Sequence, residues 1–142
     1  MELIELTAGD CADAVALWDK VGLTRPWNDP VADFTRAING PSSTVLGLRD
    51  DDGAVVGTAM VGHDGHRGWV YYLAVAPRLR SAGWGRALME ACEHWVVAQG
   101  VPKIQLMVRT SNESVLGFYD ALGYERQDTV VLGRRLDGAV SS

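Results

Sequence analysis

A chain of 142 residues is one domain long and large enough to bury its own core, and its 47% hydrophobic and 22% charged residues exclude a disordered chain. A formal net charge of −5 argues against nonspecific nucleic-acid binding, where a basic face is expected, and it suits cationic substrates without locating a site for them. The opening MELIELTAGD has neither the basic nor the apolar region of a signal peptide, and the longest apolar run, residues 69–77, is far short of a membrane span. Cys11 and Cys92 have no metal-ligand spacing and read as small buried hydrophobes. The expectation is a reduced, cytoplasmic protein with no metal and no membrane or nucleic-acid partner.

Residues 1–6 read as a short strand. Thr7 is placed to cap the next helix, with Asp10 favourable to its first turn. Ala14, Val15, Trp18 and Val21 keep helical spacing, and Gly22 ends that helix. RPWNDP, residues 25–30, is a loop in which Asp29 is the N-cap and Pro30 the first position of a second helix ending at Gly40. Residues 43–49 and 54–62 are strands joined by a turn at 50–53. Asp64-Gly65 signals a hairpin, with His63, His66 and Arg67 lengthening its loop. Residues 69–76 form a nearly continuous apolar strand, expected at the centre of a sheet and stopped by Pro77. Residues 80–85 turn into a long helix with Leu88, Ala91, Cys92 and Trp95 as its buried stripe, ended by Gly100 and Pro102. Residues 103–109 are a strand. Ser111 or Asn112 caps a last helix with Val115, Phe118, Tyr119 and Leu122 on one face, closed by Gly123. Residues 124–136 hold one or two closing strands, and residues 138–142 are a loose tail. The order β α α β β β α β α β(β) predicts one α/β domain over residues 1–137. Its architecture is α+β, a mixed and mostly antiparallel sheet of six or seven strands with about four helices on both faces.

The stretch RSAGWGRAL, residues 80–88, sits where a strand hands over to a helix. A helix N-terminus carries unpaired N–H groups and the positive end of the dipole. Glycines there admit an anion close to the backbone, which suits a pyrophosphate, and Arg80 and Arg86 add charge. Taken alone, the stretch is equally a helix that happens to open with glycine. A P-loop is absent, and a dinucleotide fingerprint fails because Leu88 stands where a third glycine or alanine belongs.

In its longer form, YYLAVAPRLRSAGWGRALME, residues 71–90, resembles the acetyl-CoA-binding motif of the GNAT N-acetyltransferase superfamily. That motif is a strand ending Val-x-Pro, then Arg/Gln-x-x-Gly-x-Gly/Ala opening a long helix, here Arg80-Ser81-Ala82-Gly83-Trp84-Gly85. The element order is similar too, as is the late block Asn112…Phe118-Tyr119…Leu122-Gly123-Tyr124, so the resemblance covers nearly the whole chain. More narrowly, RPWNDP together with GHDGHRGWVYYL, residues 62–73, resembles the small bacterial YpeA-type members.

The resemblance implies a GNAT-like fold and a direct transfer of acetyl from acetyl-CoA, the cosubstrate, to a primary amine of an acceptor. It implies that the amides of Ser81, Ala82, Gly83, Trp84 and Gly85 hold the pyrophosphate with Arg80 and Arg86 assisting. Pantetheine then pairs with the backbone of Leu73, Ala74 and Val75. The Leu73 amide polarises the thioester carbonyl, Asn112 contacts pantetheine, and Tyr119 protonates the departing thiolate. Tyr119 also lies on an apolar stripe, where packing alone accounts for it. Ser81 and Ala82 depart from the pattern, whose members often carry glycine and a basic residue there; Ala82 offers the phosphates no charge.

For the acceptor, Trp27, Asn28 and Asp29 are candidates, as are Asp64 and His66. Tyr71 and Tyr72 alternate to opposite sheet faces, so one lines the cleft while the other packs under a helix. Plainer readings stand beside these. Asp29 is a helix cap, the His63-Asp64-Gly65-His66 group is a solvent-exposed turn, and a His-x-x-His pair with no third ligand is no metal site. No base is singled out, since ordered water serves as well. An acetyl-cysteine route is disfavoured because neither cysteine falls near the expected cleft. The short closing segment leaves the acceptor side either open or completed by a second subunit of a homodimer. The alternative function is an inactive CoA-binding or partner-binding module of the same fold, against which Asn112 and Tyr119 argue.

Overall fold

The computed structural model describes residues 1–138; residues 139–142, part of the tail expected to be loose, lie outside the described residues. The chain divides into two compact units, Met1–Met107 and Val108–Ser142. The first contains β1 (Glu2–Glu5), α1 (Cys11–Lys20), α2 (Pro30–Asn39), β2 (Ser43–Arg49), β3 (Val55–His63), β4 (Gly68–Val75), α3 (Trp84–Ala98) and β5 (Ile104–Leu106). Short 3-10 turns at Ala8–Asp10 and Pro77–Leu79 lead into α1 and out of β4. In the second unit the described residues form α4 (Glu113–Ala121).

The strands make one mixed sheet in the order β1-β2-β3-β4-β5. The β1–β2, β2–β3 and β3–β4 pairs are antiparallel, and β4–β5 is parallel. The mixed, mostly antiparallel character and the four helices are as expected. The strand count is five, not six or seven, because residues 124–136 contain no strand among the described residues. The run Thr129-Val130-Val131 has the β-branched composition of a strand, yet Val130 and Leu132 are 84% and 91% exposed. Strand propensity expresses the fit of such side chains to a half-buried pleated surface, and no such surface receives these.

Helices cover both faces of the sheet. Neighbouring residues of a strand point to opposite faces. Thr58 of β3 meets Trp18 of α1 at 2.7 Å, while a Cβ placed on Gly57 would meet Leu88 of α3 at 3.2 Å. The core is therefore two-layered, with Trp18 and Phe34 on one side and Leu88, Met89 and Cys92 on the other, all fully buried. This explains the unbroken burial of residues 44–48 and 55–59 on β2 and β3, where a half-solvated strand would alternate.

Two helical stripes are rotated by about one residue from their expected positions. In α1 the buried residues are Ala14, Leu17 and Trp18, with Val15 half-buried; in α3 they are Leu88, Met89, Cys92 and Val96, with Ala91 and Trp95 half-buried. Cys11 is half-buried rather than buried. Burial, with Glu93 adding to it, pushes the Cys92 thiol up to about 12, which keeps it inert.

Gly68 sets the distance between β4 and α3. A Cβ there would lie 2.6 Å from Val96 Cγ2 and 2.8 Å from Val96 Cγ1. Valine in a helix has one strongly preferred rotamer, so it cannot swing aside. Gly68→Ala is expected to destabilise the protein by about 1–3 kcal/mol through overpacking, seen as a lower urea midpoint at unchanged slope.

Candidate active site

β4 is paired on both edges only at its start. Gly68, Trp69 and Val70 pair with Ile104, Gln105 and Leu106, and there β5 ends. β4 continues to Val75 while pairing with β3 alone. The Ala76 N–H donates to the Val56 carbonyl at 2.8 Å, toward β3. Strand alternation therefore turns the N–H groups of Val75 and Leu73 to the opposite edge, where strand pairing has stopped. A short stretch of backbone donors and acceptors is thus presented along residues 73–75. Leu73 and Val75 are half-buried and Ala74 is buried.

The register of β4 shifts just before this stretch. Ala74 faces Thr58 and Tyr71 faces Met60, so Tyr72 and Leu73 both lie opposite Ala59. This is a β-bulge, and Tyr72 sits in it with a left-handed backbone, φ +53°. That conformation is strained for a residue with a Cβ, and three contacts hold it. The Tyr72 ring stacks on Trp18 at 3.9 Å between centroids and 13° between planes. Its hydroxyl donates to Asp33 Oδ2 at 2.7 Å, and Asp33 is in turn paired with Arg36 at 2.7 Å. Its carbonyl accepts the Thr58 hydroxyl at 2.9 Å. Burial first, then Asp33, pushes the Tyr72 hydroxyl far above its ordinary value of 10.0, so it stays protonated as the donor. Tyr71 is 45% exposed. Tyr72 thus packs under α1, as expected of one of the pair, and Tyr71 faces outward.

Beyond β4 and its 3-10 turn, Arg80 returns to extended backbone at φ −63° and ψ 149°. Ser81 at φ +64° and Gly83 at φ +88° then occupy the left-handed region on either side of Ala82. Such alternation gathers successive N–H groups on one side as an anion-binding concavity. Gly83 is the N-cap of α3, and among the described residues no side chain bonds the N–H groups of the first turn. The dipole of a fifteen-residue helix thus ends in uncapped donors. Ser81, Ala82 and Gly83 are exposed, and Trp84 and Gly85 are half-buried. Arg78 pairs with Asp50 at 2.8 Å, whereas Arg80 and Arg86 are exposed and join no ion pair among the described residues.

The other candidates lie elsewhere. Asp64 and His66 belong to the β3–β4 loop, separated from the turn by the eight residues of β4, about 25 Å of strand. The Asp64 carboxylate accepts the N–H groups of His66 and Arg67, both at 2.8 Å, which holds it below its ordinary value of 3.8. His63 Nδ1 accepts the Gly65 N–H at 3.0 Å, and its ring lies 5.8 Å from Trp95. This group closes a loop. No cluster of three metal-ligating side chains occurs among the described residues. Trp27 is half-buried and Asn28 exposed between α1 and α2; Asp29 caps α2 by accepting the Ala32 N–H at 3.1 Å.

In the second unit, Asn112 caps α4, its Oδ1 accepting the Val115 N–H and the Ser114 hydroxyl, each at 3.3 Å. Tyr119 is buried in α4 with its ring edge-on to Phe118 at 5.0 Å and to Tyr124 at 5.7 Å. Sequence reasoning missed Thr58 and Asp33 as partners of the bulge. Neither belongs to a local motif, and only the strand register brings them to Tyr72.

A Cβ on Gly83 would meet nothing within 4 Å, so a side chain there is opposed by backbone conformation alone. Gly83→Ala is expected to lower stability by about 1–2 kcal/mol, measured by urea unfolding.

The sequence model of the acetyltransferase (GNAT) family matches residues 12–124. The chain is 43% identical over 136 residues to acetyltransferase YE1169 of Yersinia enterocolitica, with 96% of each protein covered. It is 42% identical, with the same coverage, to acetyltransferase YPTB2753 of Yersinia pseudotuberculosis. Among solved structures, AAC(6')-Iy in complex with the bisubstrate analogue CoA-S-monomethyl-acetylneamine aligns with a TM-score of 0.80 at 17% identity, covering 94% of this chain and 97% of that one. A tetramutant of BH1408 from Bacillus halodurans aligns with a TM-score of 0.78 at 24% identity, covering 95% and 100%. These two share the fold. By family model and by near full-length relatives, the chain belongs to the acetyltransferase (GNAT) family.

Proposed function

We propose that this acetyltransferase uses acetyl-CoA and moves the acetyl group directly to a primary amine, with residues 1–137 acting as one N-acetyltransferase domain. The observation that carries the reading is the turn at residues 80–85. Two left-handed residues and an uncapped helix N-terminus supply N–H donors for a pyrophosphate beside two exposed arginines. The unpaired edge of β4 suits the amide-bearing pantetheine arm, whose donors and acceptors match those of Leu73 and Val75. Together these donors fit acetyl-CoA, which when bound supplies the reactive thioester.

The residues then take the following roles. The amides of Ser81, Ala82, Gly83, Trp84 and Gly85, with Arg80 and Arg86, hold the phosphates. The backbone of Leu73, Ala74 and Val75 orients the arm, and the Leu73 N–H donates to the carbonyl oxygen as negative charge develops on it. Tyr119 gives its hydroxyl proton to the departing sulfur, and Asn112 keeps its Nδ2 donors for the pantetheine while Oδ1 caps α4. Because Ala82 adds no charge, CoA affinity rests on amides and the two arginines. The loop RPWNDP and the segment GHDGHRGWVYYL support reading the chain as one of the small bacterial YpeA-type members. The acceptor side falls to Tyr71 and Trp27, the exposed and half-buried aromatic candidates.

Thermal unfolding with acetyl-CoA, CoA and NAD tests the cosubstrate. Acetyl-CoA or CoA at about 100 times its Kd should stabilise by about 2.7 kcal/mol and NAD by none. No stabilisation by CoA overturns the reading. Thiol release from acetyl-CoA across a panel of primary amines then tests the reaction, and binding with no release on any amine indicates the inactive module. With an active amine, Tyr119→Phe should lower kcat about 10²-fold or more while acetyl-CoA affinity stays within a factor of two. Ala82→Lys should tighten CoA binding several-fold, less so at high salt.

A further inference from the structure

We propose that Thr58, held in place by Trp18, is a positioning residue that sets the orientation of the peptide group joining Tyr72 to Leu73 and so aims the Leu73 N–H out of the open edge of β4. The inference rests on the oxyanion role proposed above for that N–H.

The hydrogen-bond directions around Thr58 admit one arrangement. The indole N–H of Trp18 can only donate, so at 2.7 Å the Thr58 oxygen accepts it. The Tyr72 carbonyl can only accept, so at 2.9 Å the single hydroxyl proton of Thr58 goes to it. Trp18 and Thr58 are both 0% exposed, so no water competes for either bond. The hydroxyl is thereby locked with its proton toward β4.

The chain has no cis peptide bonds, and in a planar trans peptide a carbonyl and the following N–H point in opposite directions. The Tyr72 carbonyl points back to Thr58 on β3. The Leu73 N–H therefore points away from β3, to the edge where pairing with β5 has ended at Val70 and Leu106.

In regular antiparallel pairing the ladder itself orients each peptide, but here Tyr72 and Leu73 share one partner, Ala59. The ladder does not hold both. The Tyr72 ring is held separately, by the stack on Trp18 and the bond to Asp33. Removing the Thr58 hydroxyl thus leaves the ring anchored and releases the peptide plane. Thr58 touches no substrate in this scheme and acts through the Leu73 N–H.

Isotope-edited infrared spectroscopy of acetyl-CoA carrying ¹³C at the thioester carbonyl reads this N–H directly, because a donor on that oxygen lowers the stretching frequency. In the wild-type protein the frequency should fall on binding. In Thr58→Val, close in shape and lacking the hydroxyl, acetyl-CoA should bind within about threefold of wild type while most of that fall is lost, and kcat with an active amine should drop about 10- to 100-fold at little-changed KM. Thr58→Ser should restore both. If Thr58→Val does not fold, Trp18→Phe keeps a ring against Tyr72, removes the indole donor and should lose part of the frequency shift. A wild-type protein that binds acetyl-CoA with no fall in frequency refutes the oxyanion role itself, and this proposal with it. A wild-type shift retained in full in Thr58→Val, or in Trp18→Phe if only that variant folds, overturns the proposal and leaves the oxyanion role standing.

Discussion

The bulge at Tyr72 is the constraint on which the chemistry-bearing part of β4 depends. A tyrosine with φ +53° occupies backbone space that glycine enters at no steric cost, and the surroundings must over-determine it. They do so from three elements. Trp18 on α1 supplies a flat surface, Asp33 on α2 an anionic acceptor, and Thr58 on β3 a hydroxyl. The two helices on this face of the sheet thus do more than close the core. They convert an irregularity of pairing into a defined backbone geometry at residues 72 and 73.

Two other features derive from the same strand. Parallel pairing with β5 stops at Val70, so β4 carries its last residues with one edge unpaired. An edge of this kind is normally an aggregation hazard, and one built into a sheet is a place for another extended backbone. Directly after it comes a turn with left-handed backbone at Ser81 and Gly83 that leaves the first N–H groups of α3 uncapped. Gly68 allows α3 to lie close against the start of β4, with Val96 filling the space a side chain would need. Strand edge and helix N-terminus are therefore parts of one packed assembly within residues 1–107 and offer backbone donors in sequence. A ligand with amide groups at one end and phosphates at the other matches that order.

Much of this was legible in the residues. Asp29-Pro30 announced the start of α2, the strand β2 falls on the expected bounds, and the glycine-bearing turn opens α3 where expected, because helix-start chemistry is local. The departures have a common cause. The stripes of α1 and α3 were displaced by one residue because an apolar pattern gives a face, and packing against a particular sheet selects its centre. One or two closing strands are expected within residues 124–136, but strand formation requires a partner, and the β-branched propensity of residues 129–131 does not provide one. The His63-Asp64-Gly65-His66 group follows its plainer reading as a turn, with the Asp64 carboxylate accepting two N–H groups of its own loop.

The sequence by itself determined the family-bearing turn, the helix caps, and the apolar strand that feeds the turn, because each rests on interactions spanning a few consecutive residues. Only the tertiary structure decided that Tyr72 is a left-handed residue in a bulge, that Thr58 and Trp18 are its partners, and that from residue 71 onward β4 pairs with β3 alone among the described residues. Those facts depend on strand register and on where β5 ends. Register is settled by the sum of packing across the whole sheet, and no local spacing of residues records it.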